Sequence, residues 1–182
     1  MASEFGTETA DSKAGRRAAL EPVMWAALGV ALIGAGTLAG AWFFELVLDI
    51  RPCPLCLEQR YGYYFATPLA LLLALGAWLG AAPGWLRAGL VLVALAMVAN
   101  GALGAYHSGV EWGFWKGPAG CAGRAVDFGT AGSLLDRLDA VKVIPCDEVQ
   151  WRFLGLSLAG YNVLISLAMA GLALAGALYR RR

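Results

Sequence analysis

The stretch VMWAALGVALIGAGTLAGAWFFELVL, Val23 to Leu48, carries a single charge, Glu45, close to its end. A helix rises 1.5 Å per residue, so roughly 20 apolar residues cross a hydrocarbon layer of about 30 Å. Three further apolar runs follow, at about Tyr61 to Ala82, Leu86 to Tyr106 and Phe153 to Tyr179. Lipid offers the backbone no water, so each run must satisfy its own N–H and C=O groups as an α-helix. The expected fold is an all-α membrane protein. It is a four-transmembrane-helix bundle over 23–179 (spans about 23–48, 61–82, 86–106 and 153–179), with short tails at 1–22 and 180–182. The opening MASEFGTETADSK has no apolar periodicity, reads in part as a cloning remnant and is set aside. The apolar run after it is too long for a cleavable signal.

Composition agrees with a membrane location. Hydrophobic residues make up 59% of the 182 and charged ones 15%, against about 45–50% and 25% in soluble domains. The charges collect between the runs. A net charge of +1 supplies no basic surface for nucleic acid. Lys13, Arg16 and Arg17 precede the first run, Arg87 sits between the second and third, and Arg180 to Arg182 follow the fourth. Four spans put all of these on one side, which the positive-inside rule makes the cytoplasm, with both termini there. Two loops then face the opposite side, at about 49–60 and 107–152. The longer is nearly balanced, with five basic and six acidic residues.

All four cysteines fall in those two loops: Cys53 and Cys56 in RPCPLCLEQR (51–60), Cys121 and Cys146 in the longer one. A staple, a metal-ligand pair and a redox centre compete for the Cys-x-x-Cys. A bridge from Cys121 to Cys146 would close some 25 residues and stabilise the chain by about 3.5 kcal/mol on the loop-entropy account. The four-residue ring at Cys53 and Cys56 gains little from closure. Zinc stands behind the redox reading, because the second pair lacks Cys-x-x-Cys spacing and the sole histidine is remote from the cysteines in sequence. Pro54 suits the first position of a helix. Cys56 then lies in the first turn, near the positive end of the helix dipole, with Arg60 one turn on. Both features favour thiolate over thiol.

PCPLCLEQR, the separate loop cysteines and PCDEVQWRFLGLSLAGYN (145–162) together resemble the disulfide bond formation protein B family, DsbB, over about Trp25 to Tyr179. The resemblance implies a bacterial inner-membrane thiol:quinone oxidoreductase. It implies that a soluble DsbA-like, thioredoxin-fold oxidase attacks Cys121 and releases Cys146, which then attacks Cys53. Cys56 leaves and passes electrons to ubiquinone or menaquinone from the membrane pool. By the same resemblance Arg60 and His107 lie by the quinone. Pro54 between the loop cysteines departs from some relatives and is expected to stiffen the loop.

The remaining polar features read as follows. GSLLDRLDAVKVI (132–144) places Leu134, Leu135, Leu138 and Val141 on one helical face. It is expected as a short amphipathic helix on the outer leaflet or against the bundle. Trp112, Phe114 and Trp115 suit interfacial anchors, as do Tyr61, Tyr63, Tyr64 and Phe65, which also suit a quinone access path. Glu111 is expected as a solvated rim charge. Asn100 and Asn162 are expected to hydrogen-bond between helices, and GTLAG (36–40) and GAWLG (76–80) to let helices pack closely. Two other readings stay in view: a vitamin K epoxide reductase-like enzyme, whose Cys-x-x-Cys lies late in the chain rather than before the second span, and a non-enzymatic, disulfide-stapled membrane subunit.

Overall fold

The computed structural model describes residues 10–122 and 144–179. The amphipathic helix expected over 132–144 and the basic tail at 180–182 fall outside them, Ile144 excepted. Four long helices appear in chain order: α1 Ala10–Leu46, α2 Pro54–Trp78, α3 Pro83–Glu111 and α4 Leu158–Leu178. α1 packs on α2, α2 on α3, α3 on α4, and α4 returns to α1, closing the bundle.

Side-chain size decides which face of each helix turns inward. The interior is built largely from Ala27, Ala66, Ala70, Ala74, Ala94, Ala170 and Ala173, filled in by Val23, Val30, Leu90, Val93, Met97 and Met169. Large residues such as Leu32, Leu71, Leu72, Leu92, Leu95, Leu164 and Leu167 face outward. Water would drive those leucines in. Lipid is as apolar as they are, so association rests on close backbone approach and small residues take the interface. Among the described residues three segments are long and apolar enough to cross a membrane, Leu20–Leu46, Pro83–Glu111 and Leu158–Leu178. α2 has the length, with its apolar character diluted by Tyr61, Tyr63, Tyr64, Thr67 and Pro68.

The helix ends differ from the apolar runs for identifiable reasons. α1 begins at Ala10, because the stretch up to Leu20 is rich in alanine and arginine, strong helix formers, though not apolar. It stops where Asp49 takes a left-handed φ of 51°, which Asp tolerates better than most residues. α2 opens one turn before its apolar run, with Cys53 as N-cap and Pro54 next. α4 opens at Leu158 rather than at Phe153. Arg152–Phe153 and Leu156–Ser157 form a two-strand hairpin around Leu154 and Gly155, both at positive φ, the backbone a tight hairpin requires. Ser157 then caps α4, its hydroxyl accepting from the Gly160 N–H at 3.2 Å.

The glycine motifs behave differently from expectation. A Cβ on Gly36 or Gly40 would meet nothing within 4 Å, and Gly80 is a turn residue at φ +80°. Gly76 does lie against α3, a Cβ there reaching 3.1 Å from Leu86. The tighter approaches come outside the motifs, at Gly34 against Thr67, at Gly176 against Ala26 and at Gly62, where a Cβ would lie 2.7 Å from the Asn100 carboxamide carbon. There the expected interhelical bonds form. The Asn100 amide donates to Asn162 Oδ1 and to Ser166 Oγ, both at 3.1 Å, and the Tyr63 hydroxyl donates to Asn162 Oδ1 at 2.6 Å. Tyr63 is thus buried in the bundle, whereas Tyr61, Tyr64 and Phe65 face outward with Trp112, Phe114 and Trp115.

Candidate active site

Cys53 is the residue on which the site turns. Its extended backbone (ψ 166°) lets the sulfur fold back over the first turn of α2, where it accepts the Cys56 backbone N–H at 3.2 Å. The sulfur therefore does what a serine oxygen does at a helix N-cap, and meets the positive end of the helix dipole directly. The sequence pointed to Cys56 as the favoured thiolate, but the geometry gives that advantage to Cys53. Cys56 Sγ lies 2.7 Å from Cys53 Sγ, and both are free thiols. The Cys56 thiol donates to Cys53. That bond, helped by His107 and opposed by burial, holds Cys53 at about 5, against an ordinary 9.0. The same bond, with burial, pushes Cys56 well up.

His107, in the last turns of α3, places Nε2 3.6 Å from Cys53 Sγ. Its Nδ1 lies 2.8 Å from Gln59 Nε2. With the Gln59 amide donating to Nδ1, the imidazole carries its proton on Nε2, aimed at the Cys53 sulfur. Glu111, one turn beyond, has a side chain only 6% exposed, with Oε1 4.0 Å from His107 Nε2. Its other oxygen accepts the Ser157 hydroxyl. Glu111 is therefore not the solvated rim charge its sequence position suggested. α3 runs on to Glu111 and carries it under the hairpin.

The second cysteine pair is a disulfide, Cys121–Cys146, with Cα atoms 5.2 Å apart and 25 positions apart in the chain. It packs in one cluster with Cys53, Leu55 and Val110, with Cys56, Leu103 and Ile144 at its edge. The fold thus gathers all four sulfurs at one end of the bundle. Cys121 is 5% exposed and Cys146 1%, so the outer pair is covered rather than displayed.

A cavity of about 370 Å³ opens beside the thiols, within the range of small-molecule sites. Cys53, Cys56, Gln59, Arg60, His107 and Glu111 form its polar end. Phe44, Trp151, Phe153 and Tyr161 form an aromatic wall, Trp151 stacking on Phe153 at 5.8 Å and meeting Phe44 at 5.1 Å. Arg60 Nη1 donates to Glu45 Oε2 at 2.5 Å, and its guanidinium lies 6.0 Å over the Trp42 ring. Arg60 thus faces the cavity while anchored to α1.

A family model described as "Disulfide bond formation protein DsbB" matches residues 23–176. The chain belongs to the DsbB family. Proteins named disulfide bond formation protein B include one from Marinobacter nauticus, 34% identical over 74% of this chain and 80% of its own. Another, from Xanthomonas campestris, is 30% identical over 83% and 90%, and one from Polaromonas is 27% identical over 84% and 90%. No solved structure matches significantly. As a DsbB family member the chain is a transmembrane oxidoreductase of disulfide bond formation. That membership removes the vitamin K epoxide reductase-like reading and the inert stapled subunit.

Three contributors to this DsbB site escape the sequence reading. Gln59 stands three residues after Cys56, on the same face of α2. Glu111 stands four after His107 on α3, but the apolar run there ends at Tyr106 and hides the continuation. Trp151 carries no signal for its place in the cavity, since its partners other than neighbouring Phe153 come from α1 and α4.

The Cys53 anion gives a pH test. A depressed thiol is ionised above its folded value, so alkylation of Cys53 in the reduced protein is expected to stay near its plateau from pH 8 to 6. It should halve near 5. The same anion stabilises the reduced fold, fully above the ordinary value of 9.0 and lost as pH falls through about 5. Site-resolved mass spectrometry of iodoacetamide labelling reads the profile. A midpoint at 8 to 9 would remove the N-cap anion from the account.

Proposed function

We propose that this DsbB family member takes two electrons from a periplasmic thioredoxin-fold oxidase of the DsbA type and delivers them to a membrane quinone, ubiquinone or menaquinone. The observation that carries the proposal is the cavity at the thiols, which is lined both by aromatic rings and by Cys56, His107 and Arg60. A flat apolar ring with polar oxygens is the ligand class that such lining suits. A bound quinone supplies a two-electron, two-proton acceptor.

The residues divide the work as follows. A partner thiolate attacks Cys121, forming a mixed disulfide and releasing Cys146 as thiolate. Cys146 attacks Cys53 of an oxidised inner pair, and Cys56 leaves with the electron pair. The partner's second thiolate resolves its bond to Cys121, the freed Cys121 thiolate attacks Cys146 and expels Cys53, and the outer disulfide re-forms with the electrons on the inner pair. As that pair recloses to a disulfide, both electrons go to the acceptor. His107, between Cys53 and Glu111, is placed to hold a proton at Nε2. The guanidinium of Arg60 offers N–H donors to a ring oxygen. Because Cys121 is covered, partner docking has to uncover it. The cytoplasmic placement of both termini and the periplasmic placement of the cysteine loops in the inner membrane belong to this reading, supported by the charge asymmetry of the loops.

The test is quinone reduction by dithiothreitol, followed in the quinone's own ultraviolet absorption, with purified protein in detergent. Wild type is expected to turn over. Trp151→Ala is expected to raise KM for quinone about ten-fold with a smaller change in kcat, because the wall binds the ring and does no chemistry. Absence of reduction by intact, quinone-supplied protein would overturn the proposal.

A further inference from the structure

We propose that the reduced Cys53–Cys56 pair, with His107 and Glu111, is a binding site for a thiophilic divalent cation of the zinc class, present only while the pair is a dithiol. This rests on four side chains and is independent of which acceptor takes the electrons. Sequence distance argued against a metal, and the fold removes that distance. Cys53 Sγ, Cys56 Sγ and His107 Nε2 all lie within 4.8 Å of one another.

Tetrahedral zinc, with bonds of about 2.0 Å to nitrogen or oxygen and 2.3 Å to sulfur, sets its ligand atoms about 3.3–3.8 Å apart. Cys53 Sγ and His107 Nε2, at 3.6 Å, already have that spacing. Glu111 Oε1 is 4.0 Å from the same nitrogen and lies outside the cluster formed by the other three donors, so its side chain has to swing in to supply the fourth bond. Cys56 Sγ must move away from Cys53 Sγ by about 1 Å to admit the ion. Two sulfurs, an imidazole and a carboxylate form a donor set that zinc and cobalt accept.

The donors are also held from behind. Gln59 fixes the far nitrogen of His107 at 2.8 Å, and the Ser157 hydroxyl binds the far oxygen of Glu111. Such outer bonds orient metal ligands and raise their basicity. A glutamine amide donates or accepts, so Gln59 also serves the tautomer that frees Nε2 for a metal. The cavity supplies the path, since all four donors lie on its wall.

The chemistry balances without electron transfer. The cation replaces the protons still held by the thiols, and these pass to solvent. Oxidation to the disulfide removes two donors at once and with them the site. A metal-loaded pair stays reduced and cannot enter disulfide exchange until the ion leaves.

Cobalt(II) is the probe, titrated anaerobically into full-length, quinone-depleted protein in detergent, reduced by a phosphine and then desalted. One cobalt per chain is expected, with thiolate-to-cobalt charge transfer and the strong visible bands of tetrahedral cobalt. Both should vanish in protein oxidised before the titration. Affinity should fall at least ten-fold in His107→Ala and about 10–100-fold in Gln59→Leu. Cys53→Ser should weaken the charge-transfer band to that of a single thiolate and lower the affinity at least ten-fold. Absence of tetrahedral bands in the reduced wild type, binding that survives oxidation, or full affinity retained in Cys53→Ser would each overturn the site. Should His107→Ala fail to fold, the comparison of the two redox states of the wild type and the Gln59→Leu variant decide.

Discussion

Cys56→Ser is expected to abolish quinone reduction with every donor, a loss of at least roughly 10³-fold, the scale on which an obligatory covalent participant is missed. The serine keeps its backbone N–H on Cys53 Sγ, a bond that is 3.2 Å long in the native chain, so α2 keeps its start. What goes is the sulfur 2.7 Å from Cys53, without which the inner pair cannot close. The outer bridge survives, so an added thioredoxin-fold donor should still form a mixed disulfide with Cys121, now without onward transfer. Non-reducing gels and quinone absorbance read the two halves. Turnover above background in this variant would mean that electrons reach the acceptor without passing Cys56.

Cys121→Ala should separate donors that the wild type treats alike. Reduction driven by the protein donor is expected to vanish, because the residue it must attack is gone. Reduction driven by dithiothreitol, small enough to reach Cys53 and Cys56 through the cavity, should fall by less than about ten-fold, or 1.4 kcal/mol of barrier. The variant also loses the bridge that closes 25 residues, a cost of about 3.5 kcal/mol on the loop-entropy account. A comparison with Cys146→Ala, which loses the same bridge but keeps the attacked sulfur, isolates the chemistry. Equal loss of both activities in Cys121→Ala alone would reverse the assigned order of the pairs.

The burial of Cys121 and Cys146 gives these experiments their interest. Free access to the outer pair from solution would make donor attack a matter of diffusion. A covered disulfide packed on Cys53 and Val110 instead ties access to movement of the chain around it. It also keeps the two pairs side by side, the contact that sulfur-to-sulfur transfer requires.

Much of this protein was legible in the order of its residues. Uninterrupted apolar length specifies helices in lipid, because no other open structure satisfies the backbone there. Pro54 marked the start of α2, because a proline costs nothing at the first position of a helix. The four cysteines announced redox chemistry through their number and spacing, and Asn100 and Asn162 announced polar contact between helices. These are local properties, or properties of one chain segment in one solvent.

Only the assembled bundle decided the rest. Helix rotation turned Tyr63 inward while its neighbours Tyr61 and Tyr64 stayed out, and a one-residue difference in a helix is a 100° turn that composition does not report. Continuation of α3 past its apolar run carried Glu111 to His107, and the return of α4 brought Trp151 to Phe44. His107 and Cys53 are 54 residues apart in the chain and 3.6 Å apart in space. That proximity, set by how α2 packs on α3, adds to the Cys56 bond that holds the anion on Cys53 and assembles the donor set beside it.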